Sequence, residues 1–213
     1  MRPFLLILST CLVAACGEAA RVVKQTIALQ AAFFRQIDQR SPTPAIRDQL
    51  RGLARSGAGD SVQLLVSQGL VRLTDSMLIR RLQLMSVMLD KTDEAICSAM
   101  SRGTPGNGQM TLAMAKLEGQ DLEDWAALIV EAQIATLERR PARAVTPEAL
   151  AQSVQATIAS LPDSDAARLT NIFARFQTAS NAEACWAGRA LFAQGAALPE
   201  PTRSHLALGL VQP

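Results

Sequence analysis

The sequence predicts an all-α fold, a globular bundle of short amphipathic helices. Three observations carry that expectation. Nearly every stretch between helix breakers repeats its apolar residues with a period near 3.6. No stretch alternates polar and apolar residues between hairpin-type turns. Most of the periodic stretches are preceded by Ser, Thr or Asp, the residues whose side-chain oxygen accepts from the free N–H groups of a first helical turn. With 213 residues, 49% hydrophobic and only 4% aromatic, the chain is long enough to enclose a core built from aliphatic side chains.

The first helix is expected from Glu18 to Gln39, with Val23, Ile27, Phe34 and Ile37 near one face, and Ser41-Pro42-Thr43-Pro44 ends it. Pro44 opens a short helix through Leu50 and Leu53, which Ser56-Gly57-Ala58-Gly59 releases. Asp60 or Ser61 caps the next, whose stripe is Val62, Leu65, Val66, Leu70 and Leu73. Asp75-Ser76 caps a helix carrying Leu78, Leu82, Met85 and Leu89. With Met77, Ile79, Leu84, Val87 and Met88 added it is apolar on more than one face, as a central helix should be.

Thr92-Asp93-Glu94 opens a helix bearing Ile96, Cys97 and Met100, and Gly103-Thr104-Pro105-Gly106-Asn107-Gly108 is the strongest loop signal of the chain. A short helix is expected over Gln109–Glu118, then a long one capped by Asp121 and running to Arg140, with Trp125, Leu128, Ile129, Ala132 and Leu137 inward and Pro141 at its end. Thr146-Pro147-Glu148 combines a capping residue, proline at the first helical position and an early acid, ahead of Leu150, Val154, Ile158 and Leu161. Asp163-Ser164 starts a helix with Leu169, Ile172, Phe173 and Phe176. Ser180 starts one with Ala184, Cys185, Leu191 and Phe192 that Gly195 stops, and a short amphipathic helix through Leu206 and Leu210 closes the chain. No pattern recurs at constant spacing, so a globular bundle is expected rather than a solenoid.

The amino-terminal segment states an address. Arg2 precedes an apolar run, Phe4 to Ala15, too short to cross a bilayer core of about 30 Å as a helix, which is the form of an export signal. Val13-Ala14-Ala15-Cys16 resembles the lipobox of bacterial lipoproteins. That resemblance covers only residues 1–16 and implies cleavage after residue 15, lipid attachment at Cys16, and one all-α domain over residues 16–213. Gly17 stands where enteric lipoproteins held at the inner membrane carry aspartate, so the resemblance implies the outer membrane, facing the periplasm. The first helix follows almost at once, which places the body close to the bilayer with Arg21 and Lys24 toward its headgroups.

Of four cysteines, Cys11 leaves with the signal and Cys16 takes the lipid. Cys97 and Cys185 remain, a candidate disulfide in an oxidising envelope, with two packed free thiols as the alternative. The near-neutral balance of charges, scattered arginines and absence of tyrosine argue against a nucleic-acid partner. A lone His205 with separated thiols offers no zinc set, and no cofactor is expected. Met85 with Met88 and Met110 with Met114 have spacings that suit Cu(I) thioether ligands but equally suit a core. Asp93, Glu94, Asp121, Glu123 and Asp124 sit at helix starts, where acids oppose the helix dipole, rather than across a glycan-cleaving cleft. Trp125 and Trp186 are read as packing residues, the latter over the bridge. The expectation is a noncatalytic, membrane-anchored envelope lipoprotein that binds or supports another envelope protein. The alternatives are an immunity-type lipoprotein, an envelope hydrolase, and a carrier of an apolar ligand.

Overall fold

The computed structural model describes residues 23–56 and 59–212, and among them regular structure is helical, with no strand. The fold is therefore the all-α bundle that the apolar period predicts. Cys16, the signal segment and Arg21 lie outside the described residues. In chain order the helices are α1 (described over 23–40), α2 (Pro44–Ser56), α3 (Gly59–Leu70), α4 (Asp75–Lys91), α5 (Glu94–Ser101), α6 (Asn107–Met114), α7 (Gly119–Leu137), α8 (Pro147–Ala159), α9 (Asp163–Ala174), α10 (Asn181–Ala197) and α11 (Thr202–Gly209). A 3-10 turn, Phe176–Thr178, joins α9 to α10.

Local signals place most boundaries. Asp93 accepts from the Ile96 N–H at 2.9 Å, and Thr146 from the Ala149 N–H at 3.2 Å with Pro147 behind it. Three caps differ from expectation by a residue or more: Asp60 and Ser61, the candidates for α3, both lie inside its first turn, since the helix starts at Gly59. Thr74, not Asp75-Ser76, caps α4, because its hydroxyl reaches the Met77 N–H and leaves Asp75 inside the first turn. Asp121 is likewise inside α7, which starts at Gly119, and is drawn sideways to Arg80. The short helix expected over Gln109–Glu118 runs instead from Asn107, because the Gln109 side chain accepts from the Gly106 N–H at 3.0 Å.

At the start of α10 the capping box is complete. The Ser180 hydroxyl accepts from the Glu183 N–H, the Glu183 carboxylate accepts from the Ser180 N–H at 2.9 Å, and Arg175 grips the same carboxylate at 2.5 and 3.1 Å. The guanidinium first, and the Ser180 donors after it, hold the Glu183 carboxyl down to about 2 from an ordinary 4.5. A depressed carboxyl stabilises the fold above its unfolded value, and that contribution disappears as pH falls from 4.5 toward 2. Glu183→Gln should therefore flatten this part of the acid limb, seen as a smaller loss of melting temperature between pH 5 and pH 2 than in the parent.

Packing is organised on α7 and α4. Ten residues of α7 are buried, from Leu122 and Trp125 to Ala135, covering more than one face, so α7 shares the central place that composition assigns to α4. On one side, Val130 and Ile134 meet Ile37 and Leu50 of the α1–α2 pair. On the other, Trp125, Ala126 and Leu128 join the main core with Leu78, Leu82, Met85, Met88 and Leu89. α1 runs parallel to α7, as its polar contacts climb in step: Gln25 to Glu118, Gln36 to Glu123, Arg40 to Glu131. Its buried face is Leu29, Ala32, Gln36 and Ile37; Val23 and Ile27, expected inward, are exposed.

α3 lies antiparallel against α7 and touches it backbone to backbone. A Cβ on Gly69 would stand 1.8 Å from the Ala132 carbonyl oxygen. α10 packs hardest against α5, where Gly188 similarly admits Ser101 and where Cys97 and Cys185 form the disulfide, with Cα atoms 5.1 Å apart. Gly195 does not end α10. The helix continues to Ala197, and the missing side chain makes room for Leu206, whose Cδ2 would lie 2.4 Å from a Cβ there. The carboxyl-terminal helix α11 is correspondingly a core element, with Leu206, Ala207 and Leu208 buried between α4 and α8. α8 turns polar residues inward: Ser153 and Thr157 are its buried pair, each donating to a carbonyl four residues back, flanked by half-buried Leu150, Val154 and Ile158.

Candidate functional site

The candidate site is an open cleft of about 830 Å³ where the starts of α4, α8 and α11 approach the 141–146 segment. Its apolar lining includes Ile79, Val145 and Leu208, and its polar rim carries Arg143, Ser204 and His205. The segment is pinned by Arg143, whose backbone N–H donates to the Val71 carbonyl at 2.9 Å and whose guanidinium donates to the Leu73 carbonyl at 2.6 Å and to Asp75. At the start of α11, Glu200 accepts from the Ser204 hydroxyl at 2.6 Å, the Ser204 N–H at 3.2 Å and Arg203 at 3.0 Å. The Ser204 hydroxyl, with Arg203, holds the Glu200 carboxyl below its ordinary value.

The His205 side chain has no hydrogen-bond or ion-pair partner among the described residues. Ser204 and His205 are consecutive on one helix, so their side chains diverge by about 100°, and the serine proton is directed at Glu200 rather than at the imidazole. As arranged, the cleft offers an apolar floor with hydroxyl, imidazole and guanidinium groups at its edge, a surface for a small amphipathic molecule. Arg143, Glu200 and Ser204 were not singled out by sequence reasoning. The Glu200-to-Ser204 spacing, one helical turn behind Pro201, is the signal that marks them.

The other candidate residues are dispersed. Asp93 caps α5. Asp121 and Asp124 share Arg80 at 2.6 and 2.8 Å, and Gln120 donates to Asp124 as well. Glu123 accepts from Arg35 and Gln36, and the Arg35 contact leads in holding its carboxyl below the ordinary range. Glu94 is exposed. These acids tie α1 and α4 to α7, or open helices, and they do not converge with the cleft. Met85 and Met88 are buried in the main core, and Met110 and Met114 pack against its margin. Among the described residues no group of three or more His, Cys, Asp or Glu comes together as a metal set. Trp186 belongs to a separate cluster with Leu169 and Ile172, its ring faced by the Arg168 guanidinium at 4.0 Å, while Cys185 belongs to the main core.

Arg47 and Arg81 each have a guanidinium nitrogen closed off from solvent without a hydrogen-bond partner among the described residues, and Arg81 is the one set in an apolar face. Arg81 lies in the middle of the apolar face of α4 that includes Leu78, Leu84, Met85 and Met88, and its Nη1 is closed off from solvent without a hydrogen-bond partner. Burial alone pulls its pKa down to about 10. An unsatisfied donor costs about 1–3 kcal/mol, so Arg81→Met, which keeps the stem and removes the charge, should raise the unfolding free energy by about that amount in urea titrations. A basic residue in the middle of the Met77–Met88 run is visible in the sequence and marks the position.

Comparison of the chain with protein-family models, with curated proteins and with solved structures finds no match.

Proposed function

We propose that this chain is a noncatalytic lipoprotein of the bacterial cell envelope, held to the outer membrane by lipid on Cys16, whose helical body binds or supports another envelope protein. The observation that carries the reading is the Cys97–Cys185 bridge in the core. A buried structural disulfide belongs to a compartment that oxidises thiols, and that is where an export signal ending in Val13-Ala14-Ala15-Cys16 would deliver the chain. The address read from the first sixteen residues and the chemistry of the body agree, although the two lie far apart in sequence. The test is intact mass of protein recovered from its own membrane, before and after reduction, following crosslinking in living cells. A mass for cleavage before Cys16 plus acyl chains, a two-hydrogen gain on reduction and one dominant crosslinked protein is the expected result. Retention of residues 1–15 without lipid would overturn the reading.

The cleft beside His205 favours a second reading, a carrier for a small apolar or amphipathic ligand. That reading requires a co-purifying small molecule in native mass spectra, and its loss when Leu208→Glu puts a charge on the floor.

A further inference from the structure

α1 leaves its first turns uncovered because its neighbours are shorter. At 1.5 Å per residue the described part of α1 spans about 27 Å, whereas the antiparallel α2, beginning just after it, spans about 20 Å. α2 therefore reaches back only to about the level of residue 28, short of the first described turn of α1. Phe34 is still packed against the cluster that holds Ile37 and Leu50, but Val23 and Ile27, on the same outer line, are 58% and 61% exposed. α7 begins at Gly119, beside Gln25, so Val23 lies ahead of its start, and Ile27, two residues on from Gln25, sits about 160° around the helix from the side that meets α7. Two β-branched side chains are thus left in water at one end of the bundle, one helical turn apart.

That end is also the one nearest the candidate anchor. Val23 is seven residues beyond Cys16 and Ile27 eleven, so even a fully extended chain holds Val23 within about 25 Å of the lipid-bearing residue. Lys24, Lys91 and Lys116, the chain's lysines, fall at this end too, with the Lys91 ammonium donating to the Lys116 carbonyl. Asp93, Glu94 and Glu118 lie there as well, so the end is close to neutral and its distinguishing feature is the apolar pair.

We propose that Val23 and Ile27 enter the interface of the bilayer as a second, noncovalent attachment, seating the bundle with the start of α1 downward. This rests on the reading of Cys16 as lipidated. The lysine stems lie over the headgroups.

The test uses the mature protein purified from membranes of cells expressing the full chain, with Ile27→Trp, Val23→Trp or Leu64→Trp. Leu64 is 56% exposed on α3, and Thr136 of α7 bonds to the neighbouring Leu65 carbonyl, so Leu64 lies toward the opposite end of α7. Each protein is reconstituted in phosphatidylcholine vesicles with bromine on the acyl chains, the emission of the parent is subtracted, and intact mass is recorded on the same preparation. With acylated Cys16, the expected result is blue-shifted, bromine-quenched emission from Trp at 27 and 23 and unquenched emission at 64. Acylated protein with no quenching at 27 and 23, or equal quenching at 64, overturns the seating and leaves the anchor standing. Protein without acyl chains removes the anchor and the seating together.

Discussion

Removing the Cys97–Cys185 bridge by Cys97→Ala with Cys185→Ala should lower the unfolding free energy by about 4–5 kcal/mol, the loop-entropy value for a closure of 88 residues. At about 2–4 °C per kcal/mol for a chain of this size, the melting temperature should fall by roughly 10–20 °C. The loss originates in the unfolded chain, which gains freedom when the loop opens. In the folded state the two sulfurs sit inside the main core between α5 and α10, which pack closely on one another, and alanine there leaves only a small void. Circular dichroism at low temperature should therefore be unchanged, with the whole effect in the melt. A shift of less than a few degrees, by heat or by denaturant, would show that packing of α5 on α10 already restrains the chain without the bridge.

The second large effect compares one substitution at two glycines. Gly69→Ala directs a methyl group at the Ala132 backbone, 1.8 Å from the carbonyl oxygen and 2.4 Å from its carbon, and no rotamer relieves a contact between backbones. α3 must move away from α7, breaking the Thr136 hydroxyl bond to the Leu65 carbonyl at 2.8 Å. A destabilisation of about 3 kcal/mol, the upper part of the range for overpacking, is expected. Gly52→Ala, in the interior of α2 with nothing within 4 Å of the added carbon, should stabilise by about 0.5–1 kcal/mol through helix propensity. Urea titrations of the two variants beside the parent check both signs, and a loss at Gly52 or neutrality at Gly69 would contradict the packing described for α2, α3 and α7.

The helices were legible wherever their cause is local. Asp93, Thr146 with Pro147, and Ser180 with Glu183 act within one turn, so type and spacing reveal them. The period of apolar residues likewise separates helix from strand without reference to any neighbour. What depends on a neighbour was hidden. Gly195 reads as a terminator and Gly69 carries no signal of its own, although their role is to admit Leu206 and Ala132. The inward face of α1 was half right: of Val23, Ile27, Phe34 and Ile37, the last is buried and Phe34 is packed, whereas Leu29 and Ala32, which enter the main core, were missed and the first two are exposed, because burial there depends on where the neighbouring helices lie and end. The cleft was invisible for the same reason, since Arg143, Glu200 and Ile79 meet through three helix starts distant in sequence.

The placement of the lysines has a practical consequence for anyone handling the protein. Lys24, Lys91 and Lys116 are its only side-chain amines, and all belong to the end where α1 and α7 begin. Succinimidyl esters, amine-reactive sensor chips and lysine-directed crosslinkers therefore attach from one direction. A chip loaded through amines presents the far end of α7 to a flowing analyte, and masks the turns carrying Val23 and Ile27. A partner that docks on the bundle away from those turns would be captured on such a chip, and a partner that docks beside them would be missed until coupling is moved to the carboxylates.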